Sequence, residues 1–197
     1  MFAVIFEAEP AAGRHDAYLA QAAALAPLLA ATDGFIENRR FRRAEDPSWL
    51  LSLSFWRDEA ALAAWRNQPR HRSAQAAGRK GIFRQYRLRV GRVLATEENA
   101  PGAALLLEDP QAASVALPIW PAMDGLAGQQ RYLALADPAI ALHLVSFTAA
   151  VPSLAAVPSP AAHRHRIAVL RDYTLTDRAE APADSLTAHA AAAEDAP

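Results

Sequence analysis

Leu50-Leu-Ser-Leu-Ser-Phe-Trp-Arg-Asp-Glu59 holds two kinds of order in one short stretch. Up to Trp56 the residues alternate. Leu51, Leu53 and Phe55 fall on one side of an extended chain, and Leu50, Ser52, Ser54 and Trp56 on the other, which is the two-residue period of a strand. Asp58 then offers a short acceptor to the unpaired amides at the start of a helix, and Leu62 and Trp65 continue it at helical spacing. A strand therefore runs almost directly into a capped helix.

Working outward, Glu45-Asp46-Pro47 is a turn, and residues 35–43 before it form a strand, so the centre is a hairpin. Further upstream, Tyr18, Leu19, Ala22, Leu25, Ala26 and Leu29 recur at three- and four-residue steps, predicting a helix from Gly13 to about Thr32. Asp33-Gly34 stops it, because glycine takes the left-handed conformation a helix end requires. The apolar run at residues 2–7 is a strand. Downstream, Pro69 breaks the helix, a second helical piece is expected over His71 to Lys80, and Arg84 to Leu94 is a strand. The order β-α-β-β-α-β is a ferredoxin-like unit, an α+β class, over residues 1–95.

Residues 95–101 are polar, and the breakers Pro101 and Gly102 mark a boundary there. Beyond it the punctuation of the first unit recurs in the same order. Pro10 finds Pro110, Asp33-Gly34 finds Asp124-Gly125, Asp46-Pro47 finds Asp137-Pro138, and Ser54-Phe55 finds Ser146-Phe147. Leu62-Ala63-Ala64 finds Leu154-Ala155-Ala156, and Arg87, Val90 and Arg92 find Arg166, Val169 and Arg171. Residues 102–177 are thus expected to be a degenerate second unit, with helices shortened by Pro118, Pro121, Pro158 and Pro160. The expected architecture is two units in tandem forming an intrachain pseudo-dimeric α+β barrel. A sheet with helices on one face needs cover on the other, and a fused copy supplies it. Residues 178–197, rich in Ala, Pro and acid, are expected to form a loose tail.

The formal net charge is −1, which gives no basic surplus for nucleic acid. There is no cysteine, so disulfides and thiolate chemistry are excluded. No apolar run approaches the roughly 20 residues that span a bilayer, and residues 1–7 carry no secretory pattern. A cytoplasmic protein with no membrane partner is the expectation. No Gly-rich phosphate loop is present. His143, His163 and His165 lack companion carboxylates at ligand spacing, so no metal is expected.

Val4-Ile-Phe-Glu with Pro10, Asp33-Gly34-Phe35-Ile36, the Leu50–Glu59 stretch, Ala64-Trp65 and Pro69-Arg-His71 together resemble the antibiotic biosynthesis monooxygenase (ABM) family of dimeric α+β barrels. Arg171-Asp-Tyr-Thr-Leu-Thr-Asp-Arg178 is similar to the tail after the last strand of such proteins. The resemblance covers the first 95 residues; over 102–165 it rests on the repeat. It implies two sheets packed face to face, with a pocket between sheet and helices. Family members include cofactor-free oxygenases of polycyclic aromatic compounds, haem-degrading enzymes and proteins of unknown activity, so fold alone does not fix the reaction.

Trp65 and His71 are the candidate catalytic residues: Trp65 as a pocket wall, His71 as a base near neutral pH. Core packing for Trp65, and a surface or capping role for His71, are the plainer readings. Phe41, Phe55, Phe83 and Tyr86 are candidate pocket aromatics, equally serviceable as core. Asn38 and Arg40 are candidates for orienting a polar substrate group. Gln75 stands where haem-degrading relatives place an axial histidine, and Phe6 and Glu7 stand where they have a catalytic asparagine; both departures argue against haem. The leading expectation is a monooxygenase that oxidises an aromatic or polyketide-like small molecule with O2 and no cofactor. The alternatives are a non-catalytic small-molecule binder and a haem-handling protein. An intrachain pseudo-dimer that pairs further into a homodimer fits either enzyme or binder.

Overall fold

Alternation and capping set the elements where the sequence reading places them, with differences at the ends. The computed structural model describes residues 1–95, 98, 103–109, 125–148 and 163–182. The first four strands are β1 (Phe2–Pro10), β2 (Phe35–Arg43), β3 (Leu50–Trp56) and β4 (Phe83–Val93), with helices α1 (His15–Ala30), α2 (Glu59–Asn67) and α3 (Pro69–Ala77) between them. Asp58 caps α2, its Oδ1 accepting from the Ala61 amide at 2.8 Å. The third helix begins two residues before the expected His71, because Pro69 has a backbone angle already suited to a first helical turn. The Gln68 side chain caps it by accepting from the His71 amide at 2.8 Å. It ends at Ala77 in a wider turn, Gly78–Ile82, where Gly81 has φ +147°.

Four more strands follow: β5 (Ala103–Asp109), β6 (Leu126–Ala134), β7 (Ala141–Phe147) and β8 (His163–Thr174). All eight close into one antiparallel barrel in the order β1-β3-β2-β6-β7-β5-β8-β4. The first and last four strands meet at two seams. One is short, with Phe41, Arg42 and Arg43 opposite Ala134, Leu133 and Tyr132. The other runs along β4 and β8, from Arg87 opposite Thr174 to Val93 opposite Ile167. The expected pair of stacked sheets is therefore a single closed sheet whose inside is the packed layer. The segments expected to hold the shortened second-half helices lie outside the described residues, as do Pro110, Asp124 and Leu154–Ala156.

Within each half the strand order is the same, β2-β3-β1-β4 and β6-β7-β5-β8. Local detail follows suit. Phe35 pairs with Trp56 before a bulge, and Leu126 with Phe147 before another. Gly34 (φ +78°) accepts from the Arg57 amide at 2.7 Å, and Gly125 (φ +80°) from the Thr148 amide at 2.7 Å. These pairings correct the residue matching above. Phe147 occupies the place of Trp56, not of Phe55. In the last strands, Ile167 and not Leu170 holds the place of Gly91, since Ala3 faces Gly91 and Ala104 faces Ile167. Matching by residue type had ignored the pleat, and one step along a strand reverses the face.

Inward-facing residues from both halves form the core: Ile5, Phe41, Leu51, Leu53 and Phe55 against Leu106, Leu142, Leu144 and Ile167. At one end this interior turns polar. Buried Glu7 accepts from Arg89 Nη2 at 2.6 Å and from the Tyr132 hydroxyl at 2.5 Å, and Arg89 Nη1 donates to Ser146 Oγ at 2.7 Å. This network ties β1 and β4 to β6 and β7. On the outer face of the first half, Trp56, Leu29, Leu62 and Val90 cluster beneath the helices. Among the described residues no helix is long and apolar enough to cross a membrane.

Candidate functional site

Between α1–α3 and the outer face of the sheet lies a cavity of about 260 Å³. Its floor follows from strand register. One row of cross-strand partners runs Arg40, Ser52, Phe6, Leu88, Tyr173, and the next runs Asn38, Ser54, Val4, Val90, Arg171. All ten line the cavity. The floor is thus polar along β2 and β3, apolar along β1 and β4, and cationic again on β8.

Six of the eight residues singled out from sequence meet here: Asn38, Arg40, Trp65, His71, Phe83 and Tyr86. Phe41 and Phe55 do not. Both point inward to the barrel core, with 0 % and 2 % of their surface exposed, because each alternates with a cavity-facing neighbour on its strand. Residues 178–182, the described part of the segment expected to be a loose tail, lie against β4, β8 and the cavity. Arg178 donates to the Tyr86 hydroxyl at 2.7 Å, the Glu180 carboxylate accepts from the Asp172 amide at 2.6 Å, and Pro182 lines the cavity.

His71 is brought to the cavity by the α2–α3 break. Its ring stacks on Trp65 at 4.3 Å between centroids and 17° between planes, and Trp65 in turn lies 6.5 Å from Trp56. His71 Nδ1 is 2.9 Å from the Trp65 carbonyl oxygen. A carbonyl only accepts, so Nδ1 carries the hydrogen and Nε2 of the neutral ring is left with a lone pair. Burial pushes the His71 pKa below its ordinary value, against the smaller opposing effect of the Trp65 carbonyl. The ring is therefore neutral near pH 7 and equipped to take a proton.

Aromatic edges close one side, with Phe83 5.4 Å from Phe6 and 5.2 Å from Tyr18. Burial raises the Tyr18 pKa, with the Arg40 guanidinium opposing it. On the floor, Asn38 Nδ2 donates to Ser52 Oγ at 2.8 Å and to the Leu53 carbonyl at 3.1 Å. Trp56 Nε1 donates to Ser54 Oγ at 3.0 Å. Arg66, Arg72, Arg79, Arg171 and Arg178 join Arg40 in the wall, and no aspartate or glutamate lines it.

Ser52 and Ser54 were legible as polar residues on a face that helices must cover, which is itself a sign of a wet or ligand-bearing space. Arg171, Tyr173 and Arg178 gave no such sign, since only barrel closure brings β8 beside β4. Among the described residues no group of three or more His, Asp or Glu could hold a metal ion. His143 and His165 sit on opposite faces of the sheet, His165 packing on the core residue Phe55 at 4.8 Å while His143 alternates with the core residues Leu142 and Leu144. The His163 side chain lies outside the described residues.

The sequence model of the antibiotic biosynthesis monooxygenase family matches residues 1–77. Over this segment the chain is similar to that family. Over 96 residues the chain is 52 % identical to the jasmonate monooxygenase ABM of Pyricularia oryzae, a stretch amounting to 49 % of this chain and 45 % of that protein. The match thus spans less than half of the relative's length. Among solved structures, that of Rv0793 from Mycobacterium tuberculosis is 22 % identical, with a TM-score of 0.44, covering 49 % of this chain and 98 % of its own. An aldoxime dehydratase shares the fold alone over 85 % of this chain and 80 % of its own, at 8 % identity and a TM-score of 0.52. The family-model match ends before β4, and Phe83, Tyr86, Leu88, Val90 and all the β8 residues of the cavity lie beyond it.

Proposed function

We propose that the chain is a cofactor-independent monooxygenase that oxidises an aromatic or polyketide-like small molecule with O2, using the cavity beside Trp65. The observation that carries this reading is His71, neutral by burial and held through Nδ1 by the Trp65 carbonyl in an otherwise largely apolar space. Nε2 takes a proton from a phenol or from a CH2 flanked by conjugating groups. The resulting anion is electron-rich and reduces O2 directly. One oxygen stays on carbon as a carbonyl, and the other leaves as water with two hydrogens, both from the CH2 or, for a phenol that becomes a quinone, one from the hydroxyl and one from the oxidised ring carbon, so the substrate supplies all the electrons. Desolvation favours the step, because a buried anion meets apolar O2 without a water shell.

The relative's name brings jasmonate onto the test panel alongside phenols and anthrone-like compounds. Oxygen uptake is measured aerobically with each compound for the wild type and for His71→Ala. The expected result is uptake with at least one compound, lowered about a hundred-fold or more in the variant. Uptake that is equal in both removes His71 from the reaction. The non-catalytic alternative gains if compounds raise the melting temperature and none is turned over.

Residues 102–177 we read as a second, reduced copy of the unit in 1–95. Support comes from the repeated strand order and from the matched bulges and glycine turns. In this reading the copy retains its strands because they close the barrel and supply the β8 wall of the cavity.

A further inference from the structure

We infer that the cavity selects a small apolar carboxylic acid and holds its carboxylate at Arg40. This rests on the cavity being the substrate site. Six arginines line that space with no aspartate or glutamate among the lining residues. Arg171 has a counter-charge in Glu59, at 2.5 Å. Arg40 has none among the described residues, although it is half-buried and its Nε is fully covered without a hydrogen-bond partner. The Tyr18 hydroxyl is beside this guanidinium but brings no negative charge, and a carboxylate with its two acceptor oxygens matches it.

The neighbours of Arg40 complete a set of donors. Ser52 stands directly opposite it across the β2–β3 pairing, with Ser54 in the next row. Ser52 Oγ already accepts from Asn38, and Ser54 Oγ from Trp56. Each hydroxyl therefore has its own hydrogen left to give. Beyond these groups the floor is Val4, Phe6, Leu88 and Val90, so a ligand anchored at Arg40 lays an apolar body across β1 and β4. The arginines near Tyr173 lie on the far side of that apolar strip, and the anchor is assigned to the β2 side because the hydroxyl donors are there. The cavity is at the small end of ligand sites, which fits one or two rings and a short acid arm.

The test is calorimetric titration of the full chain with naphthalene-1-acetate, cinnamate and cyclohexylacetate, each against its methyl ester. The wild type is expected to bind at least one acid about ten-fold or more tightly than the ester, the size of effect a hydrogen bond to a charged group gives. Arg40→Met is expected to abolish that preference while leaving ester affinity unchanged. Arg40→Lys retains part of it, as a point charge without the planar fork. Arg42→Met, exposed two residues along β2 and outside the cavity lining, retains it fully. Circular dichroism melting establishes that each variant is folded. Equal affinity for acid and ester in the wild type overturns the inference, as does a preference that survives in folded Arg40→Met, or failure of every acid to bind. Acid-selective binding without oxygen uptake upholds the anchor while defeating the monooxygenase reading, so the two failures are separable.

Discussion

Protonating His71 places a charge on a ring that the cavity wall and Trp65 shield from water, and burial accordingly lowers its pKa from the ordinary 6.5. The sign follows from proton counts. As pH falls through 6.5 the unfolded chain takes up the proton before the folded one, so stability is complete above 6.5 and is lost on acidification through the lowered folded value. Urea midpoints measured from pH 7.5 down to pH 5 are expected to fall for the wild type, and to fall less for His71→Asn. Activity is expected to follow the same limb, with an acid midpoint below 6.5. Glu7 provides a second residue-scale prediction. Glu7→Ala strands Arg89, 2 % exposed, without its carboxylate, at a cost of about 3 kcal/mol or more by urea denaturation. Glu7→Met with Arg89→Met is expected to cost less than the single change. Six of the eight residues chosen from sequence line the cavity, and among them Trp65, His71 and Asn38 were legible because tryptophan, histidine and asparagine stand out from a plain amphipathic pattern. Phe41 and Phe55 misled for the opposite reason: an aromatic side chain suits a core and a pocket equally, and only the pleat parity of β2 and β3 separates the two.

At the scale of elements, the join of β3 to α2 was readable because its cause is local. Asp58 lies between an alternating run and a helical one, and its carboxylate accepts the Ala61 amide. Asp58→Ala is expected to lower stability by about 1 kcal/mol, read from the shift in urea midpoint. Gly34 nearby serves a tighter need. It has φ +78°, and a Cβ there would come within 2.6 Å of the Ala61 side chain, so the turn that ends α1 also seats α2. The boundary of α3 was missed by two residues, since Pro69 was read as a breaker when at a first turn it is a starter. Register between distant strands was less legible still. Matching like residues put Phe147 and the last strand out of step, because nothing in a short run of Arg and Val says which way its first side chain points.

For the molecule as a whole, the seam between β4 and β8 depends on one missing side chain. A Cβ on Gly91 would lie 2.5 Å from the Ala168 carbonyl oxygen and overlap the Ile167 side chain. Gly91→Ala is expected to cost about 1–3 kcal/mol, typical of overpacking, seen as a lower melting temperature; an unchanged melting temperature shows that the seam can widen freely. Because that seam also carries Arg171 and Tyr173 to the cavity, the variant is expected to bind ligand less tightly than its stability loss alone explains. The segment matched by the family's sequence model ends at residue 77, while the chamber it helps enclose draws on side chains as far along as Pro182. A gene trimmed to that segment would encode a room with a wall removed, since the strands that carry Leu88, Val90, Arg171 and Tyr173 would be gone.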